Sequence, residues 1–134
     1  MDSRARRVLV VDDSEEIRTL MACFLTGEGY VVSEACDGTE ALKRLQVEPF
    51  DVVVTDFEMP GLNGLEVMAH AHEQDHHRPV IIVSGLGTDL SRRAVELGAY
   101  AWLTKPLSRH LFLDIVYSAA TIGQQEPLPV GSTA

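Results

Sequence analysis

The chain contains few cysteines and few positive charges. Its 134 residues include two cysteines, Cys23 and Cys36, whose spacing matches neither a disulfide framework nor a zinc site. Lysine and arginine number 11 against 20 aspartates and glutamates, which gives a formal net charge of −9. We expect so acidic a domain not to bind nucleic acid directly. The two thiols suit packing or neutral roles in a reducing compartment, and we expect a cytoplasmic location.

Long hydrophobic runs are also absent from the sequence. No apolar run approaches the roughly 18 residues of a membrane-spanning helix, and the basic N-terminus leads into a short run rather than a signal-peptide core. We therefore expect neither secretion nor a membrane partner. We predict one domain over residues 1–123, long enough to bury a core without disulfides. Residues 124–134 contain two prolines and several small polar residues, which predicts a flexible tail or the start of a linker.

Four short apolar runs are present instead, and each one is followed by polar residues. The runs cover residues 8–11, 52–54, 80–83 and 101–103, and the chemically useful residues after them are Asp12, Asp13, Asp56, Ser84 and Lys105. Continuous Val, Ile and Leu runs are typical of parallel strands that are buried on both faces. Ligands of open α/β sheets bind beyond the carboxyl ends of the strands. We expect three carboxylates, a hydroxyl and an ammonium group to meet there, around a metal ion and a phosphoryl group.

Helical periodicity alternates with these runs along the chain. We predict strands near residues 8–11, 30–35, 51–56, 80–83 and 100–104. We predict helices over about 14–27, around 41–45 and 65–69, over about 89–97, and along a stripe formed by Leu111, Phe112, Ile115, Val116 and Ala119. The second strand is more polar than the others, which indicates a position near an edge. Strand–helix alternation predicts a parallel sheet with helices on both faces.

Asp12 and Asp13 come directly after the first strand. Asp13, followed by Ser14 and two glutamates, fits a capping box at the start of a helix. A capping role would explain the presence of Asp13 but not that of Asp12. Two adjacent carboxylates repel each other unless a cation lies between them, and paired carboxylates suit a hard metal such as Mg²⁺.

Asp56 ends an apolar strand, where an isolated carboxylate is costly to bury. A carboxylate in this position can act as a nucleophile towards a phosphoryl donor and form an aspartyl phosphate. The transferred group needs nearby positive charge, which the metal and Lys105 would supply. Taken alone, Lys105 fits a surface lysine and Ser84 fits the end of a strand. Beside Asp56, the Ser84 hydroxyl becomes a donor to a phosphoryl oxygen.

Taken together, these residues resemble a response-regulator receiver domain of bacterial two-component signalling, similar to chemotaxis regulators, over about residues 6–122. The resemblance rests on Asp12-Asp13, Asp56, Met59-Pro60, Gly64, Ser84, Gly98-Ala99 and Lys105-Pro106 in this order and spacing. It implies a flavodoxin-like, doubly wound α/β fold. In that fold a five-stranded parallel sheet of order 2-1-3-4-5 and five helices form a three-layer α/β/α sandwich.

The resemblance also implies roles for the acids. Asp56 would accept a phosphoryl group from the phosphohistidine of a sensor histidine kinase or a phosphotransfer protein. Asp13 and Asp56 would hold Mg²⁺ (or Mn²⁺) together with the backbone carbonyl of Glu58, while Asp12 would help mainly through water. Lys105 would pair with Asp56 and then with its phosphoryl group.

Further implied roles concern the turns and the switch. Pro60, Gly64 and Pro106 would shape turns, with a cis peptide bond before Pro106. Phosphorylation would draw the Ser84 hydroxyl towards the new oxygens, and Trp102 would turn inward. Ordinary core packing is the alternative for Trp102. The output would be partner binding, or a homodimer, at the face formed by the fourth helix, fifth strand and fifth helix.

Three other interpretations stay open. The chain fits a degenerate receiver that acts as an interaction module without phosphorylation. It also fits a phosphatase with an aspartyl nucleophile, since Glu58 lies two residues after Asp56, although no cap domain is present to bind a small substrate. We favour a protein that is not an enzyme beyond its own phosphorylation and dephosphorylation. His72 and His76 are four residues apart and form either a metal pair or, as we prefer, a solvated helix end.

Overall fold

The computed structural model describes residues 5–86 and 88–122, within which five strands alternate with five helices. The strands are β1 (Arg7–Val11), β2 (Val31–Ala35), β3 (Val52–Asp56), β4 (Val80–Ser84) and β5 (Ala101–Thr104). The helices are α1 (Glu15–Gly27), α2 (Gly38–Val47), α3 (Gly64–Gln74), α4 (Thr88–Glu96) and α5 (Arg109–Ile122). The predicted alternation of strands and helices is therefore confirmed.

All neighbouring strands are parallel, and their order across the sheet is β2-β1-β3-β4-β5. This is the expected order 2-1-3-4-5, and β2 lies at an edge as its polarity predicted. The register aligns the carboxyl ends of the central strands. Val11 pairs with Thr55, Asp56 pairs with Val83, and Ser84 pairs with Thr104. The polar residues that end these strands consequently lie along one edge of the sheet.

The core consists of two apolar layers, one on each face of the sheet. Strand residues alternate between them because successive side chains of a strand point to opposite faces. Leu9, Val53 and Ile82 pack with residues of α2, α3 and α4. Val8 and Val52 belong to the other layer, which includes residues of α1 and α5. The three-layer α/β/α arrangement is therefore as predicted.

Two positions differ from the predicted helix stripes. Leu111 is 50% exposed, because the buried stripe of α5 consists of Phe112, Val116, Ala119 and Ala120. Leu111 precedes that stripe by one residue, or about 100° around the helix, and so faces away from the sheet. In α3 the predicted Ala69 is exposed, whereas Val67, Met68 and Ala71 are buried.

None of the helices within the described residues is long and apolar enough to cross a membrane. The tail predicted over 124–134, and the domain boundary predicted at residue 123, lie outside the residues that the structure describes.

Candidate functional site

Three carboxylates converge at the carboxyl edge of the sheet. Asp12, Asp13 and Asp56 each offer a carboxylate oxygen, and these oxygens lie within 4.8 Å of one another. Asp12 is fully buried and Asp56 is 2% exposed, whereas Asp13 is exposed to solvent. The cluster arises because β1 and β3 are adjacent parallel strands that end at the same level. The structure thus brings together the three acids as their positions in the sequence predicted.

The cap of α1 is Ser14, so the capping role considered for Asp13 is wrong. The Ser14 hydroxyl accepts a hydrogen bond from the backbone N–H of Ile17, and Ser14 has the extended backbone of an N-cap residue. Asp12 supports this turn, since its Oδ1 accepts a 2.9 Å hydrogen bond from the Ser14 N–H. The Asp13 carboxylate is therefore not needed to begin the helix.

Lys105 lies between the two buried acids. Its Nζ is 3.2 Å from Oδ1 of Asp56 and 3.5 Å from Oδ2 of Asp12. The geometry is that of an ion pair, because neither carboxylate oxygen receives a well-directed hydrogen bond from any residue that the structure describes. A single ammonium group thus faces two buried carboxylates whose hydrogen-bonding capacity is not filled.

Burial and neighbouring charges shift the pKa values of Asp56 and Lys105. Burial and the nearby Asp12 carboxylate raise the pKa of Asp56, although Lys105 and the backbone N–H of Glu58 act in the opposite direction. Burial lowers the pKa of Lys105, but the carboxylates of Asp12 and Asp56 more than offset this, so the pKa is raised. The ammonium group stays charged at neutral pH, and the site still has an excess of negative charge.

The residues present fit a divalent cation. Hard cations such as Mg²⁺ and Mn²⁺ prefer carboxylate and carbonyl oxygens, and the cluster offers three carboxylates. Buried carboxylate oxygens without hydrogen bonds are costly unless a cation or a donor lies next to them. Oδ2 of Asp12 and Oδ1 of Asp56 are such oxygens.

Ser84 lies at the end of β4, adjacent to β3, and is fully buried. Its hydroxyl donates a 3.1 Å hydrogen bond to Oε1 of Glu58 and accepts a 2.9 Å bond from the N–H of Leu86. The same Glu58 oxygen accepts a longer, 3.4 Å bond from the N–H of Gly85. The family resemblance indicated a role for the backbone carbonyl of Glu58, and nothing in the sequence predicted this side-chain contact.

The loop between β3 and α3 is held close to the backbone of Asp56. The N–H of Gly64 donates a 3.0 Å hydrogen bond to the carbonyl of Phe57. A Cβ at Gly64 would lie 2.7 Å from the backbone oxygen of Asp56 and 2.9 Å from Cα of Phe57. Only glycine permits this approach. Pro60 lies exposed in the same loop, and the Lys105–Pro106 bond is cis, as expected.

Trp102 is half-buried and contacts the residue next to Asp56. Its ring lies 5.5 Å from the ring of Phe57, centroid to centroid, with a tilt of 46°. The indole Nε1 is buried, and it has no hydrogen-bond partner within residues 5–86 and 88–122. The packing interpretation of Trp102 agrees with this contact, whereas its role as a switch stays a prediction.

The other candidate residues of the sequence analysis lie apart from this cluster. Cys23 and Cys36 are both exposed, so neither packs into the core. His72 donates from Nε2 to the backbone carbonyl of Arg78 at 3.0 Å, and its ring lies 6.3 Å from the ring of His76. Across the described part of the chain, the acidic cluster is the one group of three or more side chains placed to share a metal ion.

Comparisons with known proteins agree with the fold. The family model described as "Response regulator receiver domain" matches residues 8–117. The response regulator RR06 of Streptococcus pneumoniae serotype 2 is 43% identical over 102 residues, which cover 75% of this chain and 46% of that protein.

Two solved structures are similar over most of the chain. A CheY-like response regulator receiver domain protein from Methanospirillum hungatei has a TM-score of 0.85 and 26% identity, and the match covers 90% of this chain and 98% of that one. A chain of the CheX-CheY-BeF3-Mg+2 complex from Borrelia burgdorferi has a TM-score of 0.79 and 32% identity, and the match covers 84% of this chain and 87% of that one. The chain spans less than half the length of the first curated relatives it matches, namely 17%, 43% and 46% of three of them.

Proposed function

The chain belongs to the response regulator receiver family, and we propose that Asp56 accepts a phosphoryl group from a sensor histidine kinase or a phosphotransfer protein. One observation carries the proposal. The Asp56 carboxylate is buried, lies 3.2 Å from the Lys105 ammonium, and belongs to a cluster of three acids that suits a divalent cation. A complete set of nucleophile, ammonium, hydroxyl and metal-binding acids favours phosphorylation over a degenerate, phosphorylation-independent module.

In the proposed reaction, a carboxylate oxygen of Asp56 forms a bond to the phosphorus of a phosphohistidine. The phosphorus–nitrogen bond breaks, and its electron pair returns to the leaving imidazole, which takes up a proton. Lys105 lies where it can neutralise an oxygen of the transferred group. Asp13, Asp56 and the carbonyl of Glu58 would hold Mg²⁺ or Mn²⁺, with Asp12 acting mainly through water. The bound cation supplies positive charge next to the phosphoryl oxygens.

The proposed output is a change of partner affinity at the face formed by α4, β5 and α5. Two of these elements carry exposed apolar side chains, because Val95 of α4 and Leu111 of α5 are each about half exposed. Exposed apolar groups on adjacent elements suit contact with a partner or with a second copy of the chain. Ser84 and Trp102 would connect Asp56 to this face, since Ser84 ends β4 and Trp102 lies on the neighbouring β5.

We further propose that residues 1–123 form the receiver domain and that it acts in the cytoplasm, without a nucleic-acid or membrane partner of its own. The net charge of −9 supports the expected absence of a nucleic-acid partner. The domain would catalyse only its own phosphorylation and dephosphorylation. A phosphatase with an aspartyl nucleophile is less well supported, because the Glu58 carboxylate that would serve as its second acid is hydrogen-bonded to Ser84.

The test is to incubate the protein with acetyl phosphate and Mg²⁺ and to measure its intact mass. We expect one phosphoryl group to be added to the wild type and none to Asp56→Asn. Asp114→Asn is the matched control, because Asp114 is an exposed aspartate of α5 and should leave the mass gain unchanged. A gain that persists in Asp56→Asn, or no gain in the wild type, would discard the proposal.

A further inference from the structure

Glu58 lies two residues after Asp56 and contacts the end of β4 through its side chain. Its side-chain Oε1 accepts from the Ser84 hydroxyl at 3.1 Å and, more weakly, from the Gly85 N–H at 3.4 Å. The carboxylate of Glu58 is thus an anion bound by a hydroxyl and a backbone N–H beside the residue that becomes phosphorylated.

A hydroxyl group has one hydrogen and can direct it to only one acceptor at full strength. In the structure the Ser84 hydrogen is directed to Glu58, while the Leu86 N–H occupies a lone pair of the same oxygen. A phosphoryl oxygen on Asp56 can therefore receive a hydrogen bond from Ser84 only after the bond to Glu58 is broken.

We propose that the Glu58 side chain is a positioning residue that competes with the phosphoryl group of Asp56 for the Ser84 hydroxyl. In the unphosphorylated protein it holds the Ser84–Leu86 segment by occupying the donors that a phosphoryl oxygen would use. The inference rests on the proposed function, because it concerns the same site. It adds that this chain carries an internal anion which opposes the phosphorylated arrangement.

A purely structural role would have different consequences. Glu58 is exposed, so its truncation leaves no cavity in the core. Its backbone is unchanged by substitution with alanine or glutamine. The effect of removing the side chain should therefore appear in the binding of phosphoryl-like anions and should require the Ser84 hydroxyl.

The test uses beryllofluoride, an anion that adds to a carboxylate oxygen as a phosphoryl group does, titrated calorimetrically in the presence of Mg²⁺. We expect Glu58→Ala to bind beryllofluoride about three- to tenfold more tightly than the wild type, as one net hydrogen bond predicts. Glu73→Ala removes an equal charge from an exposed site on α3 and should not change the affinity. An unchanged affinity in Glu58→Ala overturns the proposal.

The same comparison in a Ser84→Ala background separates competition from charge repulsion. Without the hydroxyl, we expect Glu58→Ala to tighten binding less than twofold. Glu58→Gln keeps an acceptor oxygen and should lie between the wild type and Glu58→Ala. An equal tightening with and without Ser84, or in the Gln and Ala variants alike, assigns the effect to charge and overturns the competition.

Amide exchange of Gly85 gives a readout that needs no phosphorylation. Glu58→Ala removes the acceptor of this N–H, so we expect faster exchange in the unmodified protein, measured by NMR, and no change in Glu73→Ala. Unchanged exchange shows that the contact is absent in solution and overturns the inference. If the wild type neither binds beryllofluoride nor gains mass with acetyl phosphate, the proposed function fails, while the exchange measurement still reports on Glu58.

Discussion

Nζ of Lys105 lies 3.2 Å from Oδ1 of Asp56, although Asp56 ends β3, Lys105 follows β5, and these two strands are not neighbours in the sheet. β4 separates β3 from β5, and Ser84 ends that intervening strand. The ion pair therefore crosses the end of β4 and joins the carboxyl ends of β3 and β5. Long-range contacts of this kind are what a parallel sheet with aligned carboxyl ends makes possible.

Removing the ammonium group should slow phosphorylation without preventing folding. In Lys105→Met the Asp56 carboxylate loses its nearest positive charge, so the rate of mass gain with acetyl phosphate should fall by roughly 10- to 100-fold. Lys43→Met, at an exposed position of α2, should leave the rate unchanged. An unaltered rate in Lys105→Met would show that Lys105 does not stabilise the transferred group.

Divalent cations should stabilise the folded protein through the acidic cluster. With Mg²⁺ at ten times its dissociation constant, the free energy of unfolding should rise by about 1.4 kcal/mol, seen as a higher Tm. Asp13→Asn should remove most of this rise, because Asp13 supplies an exposed carboxylate to the cluster. Asp114→Asn should keep it. A full Mg²⁺ effect in Asp13→Asn would exclude Asp13 as a ligand.

Two glycines should respond to alanine in opposite directions. Gly64→Ala places a Cβ 2.7 Å from the backbone oxygen of Asp56, and should lower the free energy of unfolding by roughly 1–3 kcal/mol. Gly27 lies in the last turn of α1, where a Cβ would meet nothing within 4 Å. Gly27→Ala should therefore raise stability by roughly 0.5–1 kcal/mol. Urea denaturation measures both, and a stable Gly64→Ala would contradict the packing described here.

Glu48, which lies outside the acidic cluster, should stabilise the fold at neutral pH and lose this effect in acid. A hydrogen bond from Ser33, followed by one from Arg44, lowers the pKa of Glu48. A lowered carboxylate pKa contributes stability that is present above the unfolded-state value and is lost as the pH falls through the folded-state value. Glu48→Gln should therefore be less stable than the wild type at pH 7, with a difference that shrinks towards pH 3.

Urea denaturation at several pH values measures this difference. Glu73→Gln, at an exposed position, should follow the wild type throughout. A difference between Glu48→Gln and the wild type that does not change with pH would contradict the assignment of the effect to ionised Glu48.

The sequence was sufficient for the strand order and for the meeting of Asp12, Asp13, Asp56 and Lys105. Buried parallel strands consist of continuous apolar residues, so the sequence shows where each strand ends. A parallel sheet places the carboxyl ends of its strands at one edge. The match to a family pattern supplied the order of the strands. The apolar runs and the family motif are both defined by the spacing of residues along the chain, and this spacing can be seen in a single sequence.

Other features depend on tertiary contacts, which the spacing of residues along the chain does not predict. Asp13 and Ser14 are both competent caps, and the choice of Ser14 depends on how the chain leaves β1. Leu111 has helical spacing but lies outside the buried stripe, because the docking of α5 sets which face is covered. Glu58 and Ser84 are 26 residues apart, and no sequence pattern connects their side chains.

Ser14 caps α1, so the helix does not need the carboxylate of the adjacent Asp13. The Asp13 side chain is therefore exposed beside Asp12 and Asp56. The residue at position 13 can therefore change without removing the cap of α1, and we expect such a change to act on cation binding.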